Sequence, residues 1–172
     1  MKKLIPIILI ALLFASCGPN KNQDQEKINA LETELFSQTS GMINKEKALE
    51  VVDLYVAFAD AYPEDSLSAE YLFKAADISM NMNLATKAID LYTRIRAEYP
   101  SFRKAPECLF LSGYIYENYL GKLEEAKAIY EEFIQKYPDN DFADDAQISI
   151  NNLGKSPEEL IKEFEAKQNQ EN

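Results

Sequence analysis

Apolar side chains recur every three or four residues over most of the chain, and polar side chains fill the positions between them. This spacing is typical of amphipathic helices, because it places the apolar residues on one face, whereas strands alternate with a period of two. No glycine occurs between Gly41 and Gly113, so few strong helix breakers interrupt the pattern. The pattern therefore predicts an all-α protein with one helical domain over residues 27–166.

A short motif repeats along this helical region at nearly constant spacing. The dipeptide Tyr-Pro occurs three times, at Tyr62-Pro63, Tyr99-Pro100 and Tyr137-Pro138. Another tyrosine stands seven residues, or two helical turns, before each of them, at Tyr55, Tyr92 and Tyr130. Each leading tyrosine follows Val or Ala by four residues and precedes Phe or Ile by three. Proline cannot continue a helix, so we expect each helix to end at its Tyr-Pro.

The repeated motif resembles the second helix of a tetratricopeptide repeat, in which a small residue, an aromatic, an apolar residue and a proline follow one another at these spacings. The resemblance implies a right-handed solenoid of about four antiparallel helical hairpins. It also implies packing roles for Ala88, Tyr92, Ile95, Pro100, Ala126, Tyr130, Phe133 and Pro138. In the first helix of two copies, Ala76 and Gly113 stand where the paired helices cross most closely.

The segment before the first Tyr-Pro matches the repeat poorly. Ile28, Leu31 and Leu35 form a short apolar stripe from about residue 26 to residue 37. The stripe predicts either the first helix of a degenerate hairpin with the helix at 44–61, or the start of a short coiled coil that would imply oligomerisation. It spans only about one and a half heptads, and a coiled coil needs three or four, so the hairpin is favoured.

The first residues have the character of a targeting signal. Lys2 and Lys3 precede an apolar run from Leu4 to Ala15, which is shorter than the roughly 20 residues of a membrane span. Ala15-Ser16 directly before Cys17 resembles the lipobox of bacterial lipoproteins, which implies cleavage before Cys17 and lipidation of that residue. The alternative is an ordinary secretory signal that leaves Cys17 as a free thiol.

This organisation divides the chain into four parts. Residues 1–16 are predicted to be a signal peptide that is removed, and residues 17–26 a flexible tether without apolar periodicity. Residues 27–166 are the predicted repeat domain, and residues 167–172 a disordered tail. Gly18 rather than Asp follows Cys17, which by analogy with enterobacterial lipoproteins favours the outer membrane over the inner one.

Composition excludes several kinds of chemistry. The chain has no His and a formal net charge of −11 at pH 7. It therefore cannot use Ser-His or Cys-His catalysis, and it lacks the basic surface that nucleic acid requires. The acidic run at 139–145 lacks the spacing of an EF-hand calcium loop. We expect no enzymatic activity, no cofactor and no metal, and we expect Cys108 to be a small buried apolar residue.

Tetratricopeptide arrays bind partners on the concave face formed by their first helices. The register set by Ala76 and Gly113 predicts that this face carries Glu70, Phe73, Asp77, Met80, Glu107, Phe110, Tyr114 and Glu117. Apolar residues mixed with acids suit a partner segment with apolar and basic side chains. The alternative is that these residues pack against a neighbouring helix or remain without a partner.

These features together predict a lipid-anchored scaffold of the bacterial envelope that binds another protein. They resemble the tetratricopeptide lipoprotein of the outer-membrane β-barrel assembly machine, the BamD-like group, although that group usually has five repeats. The second hypothesis is the periplasmic tetratricopeptide protein of the Tol-Pal system, in which the stripe at 28–35 would be a remnant of a coiled coil. The third hypothesis is a lipoprotein that binds a small molecule.

Overall fold

The computed structural model describes residues 20–37 and 44–171, and these residues form eight α-helices and no strand. The prediction of an all-α fold built from helical hairpins is confirmed. The helices are α1 (Lys21–Phe36), α2 (Lys45–Ala61), α3 (Ser66–Asn81), α4 (Ala85–Glu98), α5 (Ala105–Asn118), α6 (Leu123–Lys136), α7 (Ala143–Asn152) and α8 (Pro157–Glu171). Helices α1 to α7 pack in succession, each against the next.

The predicted tether and tail are both too long. Helix α1 begins at Lys21, so residues 21–26 are helical rather than part of a spacer. Asn20 caps this helix by accepting from the Gln23 N–H at 3.4 Å, and Lys21 forms an ion pair with Asp65 at 2.8 Å. Helix α8 likewise continues through Glu171, into the predicted disordered tail. Polar contacts, which apolar periodicity does not register, order the start of α1.

The Tyr-Pro motifs end three helices in the same way. Tyr62, Tyr99 and Tyr137 are the C-cap residues of α2, α4 and α6. Their backbone N–H groups donate to the carbonyl oxygens four residues earlier, at 2.9, 2.8 and 2.8 Å. The prolines that follow are exposed and the chain turns there, because a proline disfavours helical geometry at the residue before it.

The leading residues of the motifs lie in the interior. Tyr92 and Tyr130 are fully buried, and Tyr55 is 1% exposed. The remaining predicted packing residues Ala88, Ile95, Ala126 and Phe133 are also fully buried, whereas Pro100 and Pro138 are exposed in the turns. The second helices therefore supply large aromatic side chains to the space between the paired helices, as their two-turn spacing requires.

Gly113 marks the closest approach of α5 and α6. A Cβ atom at this position would lie 2.8 Å from Tyr130 Cε1 and 3.2 Å from Ile129 Cγ2. The corresponding residue of α3, Ala76, is fully buried. Small residues at these two positions allow the tyrosine of the second helix to reach across its hairpin partner.

The two ends of the solenoid differ in packing. Ile28 and Leu35 of α1 are buried against the neighbouring helices, so α1 pairs with α2 as a first hairpin. At the other end, α8 begins with a capping box, in which the Ser156 N–H donates to Glu159 Oε2 at 2.7 Å and the Glu159 N–H donates to Ser156 Oγ at 3.2 Å. Among the side chains that the structure describes, α8 buries none, and α7 and α8 do not pack as closely as the other hairpins.

Candidate partner-binding groove

A groove of about 820 Å³ lies on the face formed by the first helices of the first two hairpins. It lies between the C-terminal halves of α1 and α3 and reaches the start of α2. Its lining residues are Glu32, Leu35, Phe36, Lys45, Tyr55, Lys74, Asp77, Ile78, Asn81, Met82 and Asn83. Phe36 is 64% exposed, which is unusual for a phenylalanine, so an apolar surface is available at the groove.

The end of α3 shapes one side of the groove. Asn83 adopts a φ of 60°, a left-handed conformation that asparagine tolerates better than most residues. The turn lets the Leu84 N–H donate to the Ser79 carbonyl at 2.9 Å. The chain therefore leaves α3 sharply after Asn81 and leaves Met82 at the groove wall.

A network of charged and aromatic side chains occupies the groove between α1 and α3. Lys74 Nζ lies 2.7 Å from Glu32 Oε1 and 5.6 Å from the centre of the Tyr55 ring. The Tyr55 hydroxyl donates to the same carboxylate. Burial raises the pKa of Glu32, but the hydrogen bonds from Lys74 and Tyr55 outweigh burial, so its pKa lies below the ordinary value. Glu32 is thus charged, and its Oε1 atom accepts from both Lys74 and Tyr55.

A second carboxylate lines the groove under different electrostatic conditions. The Tyr92 hydroxyl donates to Asp77 Oδ1 at 2.5 Å. Burial raises the pKa of the Asp77 carboxyl above its ordinary value, because the hydrogen bond from Tyr92 and the positive charge of Lys104 offset burial only in part. Lys104 itself lies over the Phe73 ring, with Nζ 4.3 Å from the ring centre. Among the residues that the structure describes, no cation forms an ion pair with Asp77, and Lys104 acts on it only through its positive charge.

The tyrosine–carboxylate contact recurs in three hairpins. Each leading tyrosine of a second helix donates its hydroxyl to an acid on the first helix of the same hairpin. The pairs are Tyr55 with Glu32, Tyr92 with Asp77, and Tyr130 with Glu117 at 2.8 Å. Burial and the nearby carboxylates raise the pKa values of all three tyrosines, so the hydroxyls stay protonated and donate.

These pairs were not expected from the sequence. Asp77 stands one residue after Ala76, whereas Glu117 stands four residues after Gly113, so the acid changes position between repeats. The two positions lie one turn apart on the same helix face, and a tyrosine hydroxyl reaches either of them. A search for acids on that face at either turn would have found both pairs.

The acids predicted to contact a partner have mixed environments. Asp77 and Glu117 accept hydrogen bonds from the buried tyrosines described above. Glu70 and Glu107 are half-buried near the start of their helices. Only Asp77 among the eight predicted contact residues lines the groove. The concave acids are therefore less available to a basic partner than the sequence alone indicates.

The apolar residues predicted on the same face serve largely in packing. Phe73 is 5% exposed and contacts the rings of Tyr92 and Phe102. Phe110 contacts the rings of Tyr130, Phe133 and Phe142. Burial leaves Phe73 little surface for a partner, which favours the alternative that it packs against neighbouring helices.

The two remaining predicted contact residues differ in exposure. Met80 is half-buried and packs on the core. Tyr114 remains 39% exposed, with its ring 6.1 Å from that of Tyr119. Tyr114 is thus the most exposed of the predicted contact residues on α5.

The sequence did not point to the end of the groove formed by α1 and α2. The register was set by Ala76 and Gly113, which lie on α3 and α5, so no contact residue was assigned to α1. Phe36 follows the buried Leu35 directly, which places it off the buried stripe and toward solvent. The sequence signal for this part of the groove was a phenylalanine directly beside the apolar stripe but outside it.

Three features of the described residues concern cysteine reactivity, metal binding and the length of the helices. Burial raises the pKa of the Cys108 thiol to about 12, so this buried cysteine is a poor nucleophile. Within residues 20–37 and 44–171, no group of three or more His, Cys, Asp or Glu side chains is placed to hold a metal ion. No helix in those ranges is both long and apolar enough to cross a bilayer. Cys17 and the predicted signal peptide lie outside the described residues.

Comparison with known proteins agrees with the repeat geometry. The tetratricopeptide repeat family matches residues 70–101 and 107–140, which cover α3 with α4 and α5 with α6. No curated protein matches the chain in sequence. Repeats of this family typically act as non-catalytic scaffolds for protein–protein interaction. The matched segments and the hairpins that they form therefore make the chain similar to tetratricopeptide-repeat proteins.

Proposed function

We propose that this protein is a non-catalytic scaffold, anchored to the bacterial envelope by a lipid on Cys17, that binds an apolar segment of a partner protein in the groove of α1 and α3. The observation that carries the proposal is the exposed Phe36 beside an apolar wall of Ile78 and Met82. Exposed apolar surface in a concave site is what a protein interface requires at its centre.

The charges in the groove indicate which kind of partner segment the groove would bind. The charge of Glu32 is paired with that of Lys74, its carboxylate also accepts from the Tyr55 hydroxyl, and Asp77 accepts from Tyr92. Lys45 is an exposed cation at the rim, at the start of α2. These contacts favour a partner segment that is mainly apolar over the basic and apolar segment expected from the sequence.

The envelope assignment rests on the sequence before α1. The lysines, the apolar run and the small residues before Cys17 together favour an acylated lipoprotein. With the repeats, they favour a role of the BamD-like kind in outer-membrane β-barrel assembly. The stripe of Ile28 and Leu35 is buried within the protein, which counts against the coiled coil on which the Tol-Pal hypothesis relied.

Affinity co-purification from detergent-solubilised membranes tests the proposal. The bait is the full-length tagged chain, and Cys17→Ser is the variant that cannot be acylated. We expect wild type to recover a large outer-membrane β-barrel protein from membranes, and we expect Cys17→Ser to leave the protein in the soluble fraction. Recovery of peptidoglycan-associated or Tol proteins instead would favour the second hypothesis.

A matched pair of surface variants tests the groove itself. Phe36→Gln removes the exposed ring at the groove, and Ile148→Gln removes an apolar side chain of similar exposure on α7, at 55%. Loss of a central apolar contact commonly costs about 2 kcal/mol of binding, which is roughly a thirtyfold loss of affinity. We expect that loss for Phe36→Gln alone. Equal recovery of the partner by both variants would exclude the groove as the binding site.

A further inference from the structure

The start of α1 fixes how far the helical body can stand from an acylated Cys17. Only residues 18–20 separate Cys17 from Lys21, the first residue of α1. Four fully extended residue steps span at most roughly 14 Å. The expected spacer of about ten residues would have allowed a larger distance between the helical domain and the bilayer. Because α1 begins at Lys21, the shorter segment limits that distance.

The same end of α1 lies at one edge of the solenoid. Tyr62 donates to Asp24 Oδ2 at 2.7 Å, and Lys21 forms its ion pair with Asp65, so the start of α1 lies beside the α2–α3 turn. Successive helices pack antiparallel through short turns, so all three Tyr-Pro turns lie on this side. We call it the turn edge, formed by residues 20–24, 62–65, 99–104 and 137–142.

The groove lies toward the opposite edge. Phe36 ends α1, Lys45 begins α2, and Met82 follows α3, and all three line the groove. Helix α1 has 16 residues, so its two ends are about 24 Å apart. When α1 stands upright on the bilayer, a tether of roughly 14 Å keeps the start of α1 near the membrane. The groove end of α1 then lies farther from the membrane by the length of the helix.

Charge opposes the orientations in which the body lies flat. The chain carries a formal net charge of −11, and exposed acids such as Glu50 and Asp90 lie on the second helices. Anionic lipid repels such surfaces. Lys21 at the turn edge is paired with Asp65, and the remaining cations of this edge, Arg103 and Lys104, share it with the acids Asp24, Glu64, Asp139 and Asp141. The tether rather than basic charge therefore holds this edge to the membrane.

We propose that the turn edge faces the bilayer and that the groove opens away from it, toward the aqueous compartment. The inference rests on the proposed acylation of Cys17 and goes beyond it, because it assigns a membrane-facing edge and a partner-facing edge. The groove then receives a segment of a partner that projects from the membrane by at least the length of α1, and does not receive a segment embedded in lipid.

Fluorophores at the two ends of α2 test this orientation. Glu64→Cys places a label in the turn after α2, at the turn edge, and Lys45→Cys places one at its start, beside the groove; both positions are exposed. Cys108 is buried and does not compete for the label. The acylated full chain is reconstituted in vesicles of phosphatidylethanolamine and phosphatidylglycerol that carry a lipid with a paramagnetic headgroup.

We expect the headgroup to quench the label at position 64 at least about fivefold more strongly than the label at position 45, since α2 separates them by about 26 Å. A flexible Gly-Ser insert of about 20 residues between Asn20 and Lys21 should abolish the difference. Equal quenching of the two labels without the insert would overturn the orientation. A difference that survives the insert would overturn the tether as its cause.

Mass spectrometry of the N-terminal peptide separates this inference from the proposed function. An unmodified Cys17 overturns both, because the anchor itself is missing. An acylated Cys17 with equal quenching overturns the orientation alone and leaves the anchored scaffold intact.

Discussion

The hydrogen bond between Tyr92 and Asp77 offers a quantitative test of the packing between α3 and α4. Tyr92 is fully buried, and its hydroxyl donates to Asp77 Oδ1 at 2.5 Å. Tyr92→Phe removes the hydroxyl and keeps the ring, so the contact with Phe73 is preserved. The substitution therefore isolates the hydrogen bond from the packing of the aromatic side chain.

The expected magnitude follows from the charge and burial of the acceptor. A hydrogen bond to a charged group contributes about 1.5–3 kcal/mol, and its loss leaves a partly desolvated carboxylate without that donor. Asp77 is only half-buried, so water replaces part of the lost interaction, and we expect a loss of about 2 kcal/mol. For a chain of this size that corresponds to a fall in Tm of about 4–8 °C. Tyr92→Ala, which also deletes the ring, should cost about 3–5 kcal/mol.

Urea unfolding followed by circular dichroism measures these differences. Tyr114→Phe is the matched control, because that tyrosine is 39% exposed, and we expect it to change the free energy of unfolding by less than about 0.5 kcal/mol. A double-mutant cycle with Asp77→Ala should give a coupling of about 1–2 kcal/mol. If Tyr92→Phe unfolds at the same urea concentration as Tyr114→Phe, the hydroxyl contributes nothing and the reasoning is wrong.

Three further predictions follow from particular residues. Gly113→Ala should lower stability by about 1–2 kcal/mol in urea unfolding, because the clash with the Tyr130 ring exceeds the roughly 1 kcal/mol gained in helix propensity; an unchanged midpoint would contradict the close approach. Asp77→Asn should unfold much like wild type at pH 3 and be more stable than wild type at pH 7. The pKa of the Asp77 carboxyl is raised in the folded protein, so this group stabilises the fold below its unfolded pKa, and the contribution is lost as the pH rises through its folded pKa. A stability advantage of Asp77→Asn that does not grow with pH would contradict the raised pKa. In Cys17→Ser, Cys108 should react with a thiol reagent only when urea unfolds the chain, and rapid labelling in buffer would show that the site is open.

The repeats could be predicted because their signals are local. The two-turn spacing of Tyr55, Tyr92 and Tyr130 from the Tyr-Pro dipeptides reports one helix face and one helix end, and both depend on neighbouring residues alone. Gly113 could be placed for the same reason, since a glycine within an apolar helical pattern indicates close approach. The ends of α2, α4 and α6 and the burial of these three tyrosines therefore follow from the pattern of the sequence.

The start of α1 could not be predicted in the same way. Residues 21–26 are polar, so apolar periodicity cannot predict whether they form a helix. Its order depends on Tyr62 and Asp65, which are about 40 residues away along the chain. The groove depends on the same long-range pairing, because α1 and α3 must come together before Phe36 and Met82 line one cavity.

The tyrosine–carboxylate pairs change how the acids on the concave face should be interpreted. A surface rich in Asp and Glu favours a basic partner only where the carboxylates are free to form ion pairs. Here three of these acids serve the interior of the protein, since each accepts the hydroxyl of a buried tyrosine, and Glu32 is also paired with Lys74. A basic partner would have to compete with these contacts, whereas an apolar segment on Phe36 would not. Under the proposed function, the same groups that hold the hairpins together therefore favour an apolar partner segment over a basic one.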